Sequence, residues 1–365
     1  MKQNLNDTLM VLRQTLAFDY RIIALEMPTS PVFMAVALPL APEVTGLKPR
    51  LPSGRGLSLP QAMVSAGAEA VELRASLGWT NSARIAALPQ KDGRRMIEAQ
   101  NLHNGETVLV PAQTVFLDHA AATGEPLQTD ARSTGCATAV NRQIAIDMAL
   151  LECIERDAIA FWWHGNVPAF RLPLERIDPL SPRLLWWLQT RVRQTRLLGL
   201  ASQTGVPVVV AVSCGADGHT VAYGAAARFD TDDACLAAIT EMVQTETAFF
   251  AALAAAPDNG AAQAARDWQT YACMQVQPQF NPASEGPPPS WTQHDRASLL
   301  ARCAALDLQV LAVDLTLPDD PLATIRVLVP GLCDMDGRID TLRFRHHTGI
   351  NDPNQSLPRH EPEPF

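Results

Sequence analysis

Three stretches of the chain carry a glutamate followed three residues later by Glu or Gln: Glu69 and Glu72 in SAGAEAVELRAS, Glu152 and Glu155 in MALLECIERDA, Glu241 and Gln244 in LAAITEMVQTE. On a helix, residues three apart leave one face, so each stretch would present two oxygen-bearing side chains side by side. Apolar neighbours at helical spacing place those faces toward a core rather than toward bulk water. Such pairs also occur on solvated faces, but few lysines stand at helical spacing to pair with Glu152 and Glu155. Buried without a cation, these carboxylates would be costly. If two or three of the faces converge, four glutamates repel one another, and a hard divalent cation with oxygen ligands is the natural remedy. Magnesium suits that role because it keeps some of its waters and shares coordination with nucleotide phosphates. Each acidic stretch follows a glycine-containing segment expected as a loop: Ser53-Gly54-Arg55-Gly56, Ser133-Thr134-Gly135, and Gly224. Backbone N–H groups there, with the helix starts behind them, could face phosphate oxygens, and Arg156 could pair with a phosphate. No GxxxxGK[ST] string occurs, so this is not a Walker P-loop.

The elements that must hold these residues are readable from pattern. Helix starts are predicted at Ser58, with Pro60 in the first turn, at Asn141, and at Thr231 or Asp232. The runs Tyr20 to Met27, Val32 to Leu38, Thr107 to Val110, Val206 to Val212, Val310 to Leu315 and Ile325 to Val329 read as strands. They alternate irregularly with long Ala/Leu/Glu-rich helical stretches, which predicts a mixed α/β fold of the α+β kind. Phe249 to Arg266 is alanine-rich, and Phe280 to Ser290, with three consecutive prolines, is expected as an exposed loop inside one domain.

At 365 residues and 47% hydrophobic composition the chain can bury a sizeable core. A net charge of -9 with 29 Lys plus Arg argues against nucleic acid or an anionic membrane as partner. Polar residues interrupt the amino terminus, and the apolar runs 32 to 38 and 206 to 213 fall far short of the roughly 20 residues that span a bilayer. The seven cysteines are dispersed and form no C-x-x-C pair, as expected of a reduced, cytoplasmic protein. Cys136 and Cys153 read as buried packing residues. His346, His347 and His360 have no companion ligands at diagnostic spacing and read as a solvated carboxy-terminal segment. Trp162, Trp163, Trp186 and Trp187 read as core or dimer contacts.

From Ser133 to Trp163, S-T-G-C-A followed by ALLECIERDAIAFWW closely resembles the signature of the YcaO family, ATP-dependent enzymes acting on peptide amides. The order of other segments agrees: SGRG with SAGAEAVE, AAITEMVQ, Asp314-Leu315-Thr316, Val329-Pro330-Gly331-Leu332, and the tail Pro362-Glu363-Pro364-Phe365. The resemblance runs over residues 20–365 and implies a single YcaO-like domain with residues 1–19 as an extension and 351–365 as a Pro-containing tail. It implies that Glu69, Glu72, Glu152 and Glu155 coordinate magnesium. It implies that Ser133, Arg55, Arg156, Glu241 and Gln244 bind ATP, and that Arg156 and the terminal Phe365 serve catalysis. The activity implied is cyclodehydration: ATP phosphorylates a backbone amide oxygen of a ribosomal precursor peptide, and a Cys, Ser or Thr side chain closes an azoline ring. Thioamide or amidine formation, and an inactive scaffold in a maturation complex, are the alternatives. The partners implied are the precursor peptide, a separate leader-binding protein of ocin-ThiF or TfuA type, and a second copy of the chain as a homodimer. The chain departs from the family where Thr134 replaces the common Asn, Arg55 the usual Lys, and Glu246 an Arg, and where Ala139-Val140-Asn141 replaces a small turn.

Overall fold

A computed structural model describes residues 5–27, 29–47, 50–254, 260–334, 338–352 and 354–359. His360 and the tail residues Pro362 to Phe365 lie outside the described residues. The chain forms two compact units, one of Met1–Cys153 with Gln309–Pro330, the other of Ile154–Leu308 with Gly331–Phe365.

In the first unit, helices α1 (Leu5–Thr15) and α2 (Leu59–Ser76) pack against an antiparallel sheet of β1 (Tyr20–Leu25), β2 (Phe33–Pro39) and β3 (Ser53–Gly56). Leu12, Leu16, Ile22, Ala35, Ala66 and Ala70 form the core between them. Then come α3 (Ser82–Ala86), β4 (Gln90–Lys91), β5 (Arg94–Asn101), β6 (Thr107–Pro111), α4 (His119–Thr123) and β7 (Cys136–Ala139). Helix α5 (Arg142–Trp163) starts in this unit and ends in the other.

The second unit is built on a sheet ordered β11-β10-β9-β8-β12. Its elements are β8 (Ala169–Leu172), α6 (Pro182–Thr190), β9 (Gln194–Leu200), β10 (Val208–Cys214), β11 (Ala222–Ala227), α7 (Thr231–Ala254), α8 (Gly260–Tyr271), β12 (Ser284–Glu285) and α9 (Arg296–Ala305). The run VVVAVSC of β10 is buried at every position, as a continuous apolar run in a central strand should be. Trp162 and Trp163 join Trp268 and Phe280 in one aromatic cluster, so this pair is core. Two late strands return to the first unit, β13 (Leu311–Asp314) and β14 (Ala323–Leu328), completing its sheet β4-β5-β13-β14-β7 with β6 on β5. Helix α10 (Leu342–Thr348) belongs to the second unit.

The helix starts agree with the sequence. Ser58 caps α2 by accepting from Gln61 N–H, and Asn141 Oδ1 accepts from Ile144 N–H at 3.0 Å to cap α5. The cap of α7 is Asp230, one residue before the predicted start, accepting from Asp232 and Asp233 N–H. The glycine segments differ from expectation. Ser53 to Gly56 is not a loop but the strand β3, and Gly224 lies inside β11. A Cβ on Gly54 would stand 2.2 Å from Ala62 O and Ala66 N of α2, and one on Gly224 2.1 Å from Met242 N of α7. These glycines let a helix backbone lie directly on a strand, a use that local punctuation rules do not distinguish from a turn. Phe280 to Ser290 is mostly irregular but not simply exposed: Phe280 is 1% exposed, and Ser284 and Glu285 pair in parallel with β8.

Candidate active site

In the first unit, Glu69 and Glu72 stand one turn apart on α2. Glu69 is exposed, and its Oε2 accepts from Ser53 N–H at 3.1 Å, tying it to the start of β3. Burial pushes the Glu72 carboxyl well above the usual carboxylate range, and the charges of Glu152 and then Glu69 push the same way; Arg326 and the Thr138 N–H oppose them. The three carboxylates therefore share one electrostatic neighbourhood. Glu152, on α5, accepts from Gly135 N–H with Oε2 at 3.0 Å. Gly135 sits at φ +79°, where a Cβ would meet Val327 O at 2.4 Å, so the Ser133-Thr134-Gly135 turn requires glycine there.

One turn further along α5, Glu155 is 6% exposed within the second unit. Its Oε2 accepts from Ala227 N–H at the end of β11 at 3.2 Å, and its Oε1 lies 3.8 Å from Arg156 Nε. Glu241 and Gln244 stand one turn apart on α7, both half-buried, and Arg55 is half-buried on β3. Phe365 falls outside the described residues. Asp157, the next residue of the E-R-D string, has a different use: it accepts from Cys333 N–H at 2.8 Å and makes a two-point pair with Arg343 at 2.8 and 3.0 Å, anchoring α10. Glu246 is likewise internal, buried and paired with Arg191 at 2.9 Å.

Among the described residues, no three His, Cys, Asp or Glu side chains already stand in metal-ligand geometry. The donor chemistry nonetheless fits magnesium. Glu69, Glu72 and Glu152 offer carboxylate oxygens alone, the hard ligands that magnesium takes. No acidic-pair reasoning singles out Arg326 or the N–H groups of Ser53, Gly135 and Ala227. A signal for Arg326 does exist, since it is the lone charge in the apolar run from Ile325 to Val329.

A family model described as YcaO cyclodehydratase, ATP- and Mg2+-binding, matches residues 80–333. The chain belongs to the YcaO family. The matched range contains Ser133, Glu152, Glu155, Arg156, Glu241 and Gln244, while Glu69 and Glu72 precede it. The family's cofactors, ATP and Mg2+, agree with the oxygen-only donor set. The YcaO chain is 26% identical over 341 residues to an uncharacterized protein in the tfuA 3′ region of Rhizobium leguminosarum bv. trifolii, covering 80% of this chain and 79% of that protein. Among solved structures, a heterocyclase in complex with substrate and cofactor matches with a TM-score of 0.76 and 18% identity over 98% of this chain; the YcaO chain spans 57% of that longer chain. The YcaO of Methanopyrus kandleri, bound with AMPPCP and Mg2+, matches with a TM-score of 0.67 and 20% identity over 100% of this chain and 96% of its own. These likenesses establish the α+β YcaO fold.

Proposed function

We propose that this YcaO protein is an ATP- and Mg2+-dependent cyclodehydratase that forms azoline rings in a ribosomally made precursor peptide. The observation that carries the reading is the Glu152 carboxylate held at the Ser133 to Gly135 turn by the Gly135 N–H, in a chain that an ATP- and Mg2+-binding family model matches. In this reading Glu69, Glu72, Glu152 and Glu155 hold magnesium, while Ser133, Arg55, Arg156, Glu241 and Gln244 bind the nucleotide. Arg156 offers its guanidinium to the transferring phosphoryl group, and Phe365 contributes from the tail. The nucleotide supplies a phosphoryl group that converts the amide oxygen into a leaving group. The thiol or hydroxyl of a Cys, Ser or Thr side chain of the peptide gives up its proton and attacks the amide carbon, phosphate departs with the amide oxygen, and loss of the N–H proton leaves the C=N bond of the ring. The attacking group is assigned to the substrate because all seven cysteines of the enzyme are buried, with burial pushing Cys235 and Cys333 up to about 12 and Cys303 up to about 11.

A separate leader-binding protein presents the peptide, and the tfuA-region location of the Rhizobium relative supports the TfuA type over the ocin-ThiF type. A homodimer in the cytoplasm belongs to the same proposal; among the described residues no helix is long and apolar enough to cross a membrane. Incubation with ATP, Mg2+, a candidate precursor peptide and its leader-binding protein, followed by mass spectrometry, tests the reaction. Loss of one water per modified residue, with ADP and phosphate released, is expected. Exchange of oxygen for sulfur would assign thioamide formation instead, and failure to bind nucleotide would leave a scaffold.

A further inference from the structure

Arg326 lies in the middle of β14 with 1% of its surface exposed, between Val313 on β13 and Cys136 on β7. One guanidinium nitrogen, Nη1, shares its two N–H groups among three successive carbonyls: Arg132 at 2.7 Å, Ser133 at 3.0 Å and Thr134 at 2.9 Å. The other two, Nε and Nη2, are buried without a hydrogen-bond partner. The turn it holds continues straight into the acidic group. Gly135 O accepts from Val327 N–H at 2.7 Å, and Gly135 N–H donates to Glu152 at 3.0 Å. A continuous set of contacts thus runs from Arg326 through three carbonyls to Gly135 and on to Glu152.

We propose that Arg326 is a positioning residue for the magnesium–nucleotide site: it fixes the Ser133 to Gly135 turn, and through Gly135 the Glu152 carboxylate. This rests on the reading of Glu152 as a magnesium ligand. Arginine suits the task because it stays protonated when buried, where a lysine or histidine can lose its proton. Lysine nevertheless carries three N–H donors on one nitrogen and can meet the three carbonyls, whereas methionine fills similar space with neither donors nor charge.

Two measurements on the wild-type chain, Arg326→Lys and Arg326→Met test the proposal. The first is amide hydrogen exchange of the metal-free proteins; the second is calorimetric titration with Mg2+ and a nonhydrolysable ATP analogue. In Arg326→Met, exchange over residues 132–136 should rise roughly tenfold or more, and Mg2+-dependent analogue affinity should fall by a similar factor, as when other outer supports of a metal site are removed. Exchange in β5 and β13 should stay at the wild-type level, and Arg326→Lys should keep both readouts within a few-fold of wild type. Wild-type exchange and affinity in Arg326→Met overturn the proposal. So does acceleration spread evenly over β5, β13, β14 and β7 with affinity falling in step in both variants, the mark of an ordinary core residue. Should Arg326→Met fail to fold, Arg326→Lys decides: a protected turn with preserved affinity supports the role, and a freely exchanging turn with unaltered affinity overturns it. Absence of analogue binding by the wild type removes the magnesium reading itself, whereas binding by the wild type with an indifferent Met variant removes the Arg326 role alone.

Discussion

Glu152 links the turn after residue 132 to the acidic group, and Glu155 follows one turn later on the same helix, so their charges should be indispensable while their volumes are not. Glu152→Gln and Glu155→Gln keep shape and most hydrogen bonding, so each is expected to fold while ATP turnover falls on the order of 100-fold or more, measured by phosphate release. Glu72 sets a pH dependence whose sign follows from its raised pKa. Without metal, the folded chain holds the Glu72 proton at pH values where the unfolded chain has released it, so its contribution to stability falls as pH rises from the ordinary carboxylate range through the raised pKa. In the proposed site magnesium needs the carboxylate and would expel that proton, so affinity for Mg2+-nucleotide should rise with pH over the same window. Titrations in buffers of different ionisation enthalpy should show proton release on binding; proton-neutral binding at every pH would contradict this assignment. The buried thiols give a separate expectation. Iodoacetamide at pH 8 should label none of the seven cysteines rapidly in the native protein and all of them in denaturant.

At the scale of elements, helix starts and strand runs were legible because the information is local. Ser58 and Asn141 announce α2 and α5 by side-chain capping, and the unbroken apolar run of β10 needs no partner to be recognised. Gly54 and Gly224 were not legible as what they are. A glycine that admits a helix backbone onto a strand and one that permits a turn look alike in a single sequence, and the difference lies in α2 and α7, which arrive later in the chain. Gly54→Ala and Gly224→Ala should each destabilise the protein by about 1–3 kcal/mol, because the added methyl meets helix backbone rather than a movable side chain. Chemical denaturation read by circular dichroism would check this, and a loss below a few tenths of a kcal/mol would show that the helices can shift. The strand β3 also has a use that its reading as a phosphate loop hid: its first N–H, on Ser53, holds Glu69.

At the scale of the whole molecule, ligand binding and folding should be linked. Mg2+ with a nonhydrolysable ATP analogue at about 100 times its dissociation constant should stabilise the wild type by about 2.7 kcal/mol, visible as a raised melting temperature, and should leave Glu152→Gln unmoved. The sequence by itself determined the local periods: glutamates three apart on helices, caps, apolar strands, and the S-T-G-C-A and E-R-D-A strings that mark the YcaO family. Only the tertiary structure decided that Glu155 is the buried one of the four glutamates, that Glu152 holds Gly135, that Asp157 and Glu246 are internal anchors, and that Arg326 stands behind the turn. The reason is physical: helical spacing and capping act over a few residues and are written in the order of the chain, whereas burial and charge at a carboxylate are set by whichever distant strands pack around it. Glu72 and Arg326 are neighbours in the field of one site, yet nothing in the roughly seventy turns' worth of helix-length chain between them records that meeting.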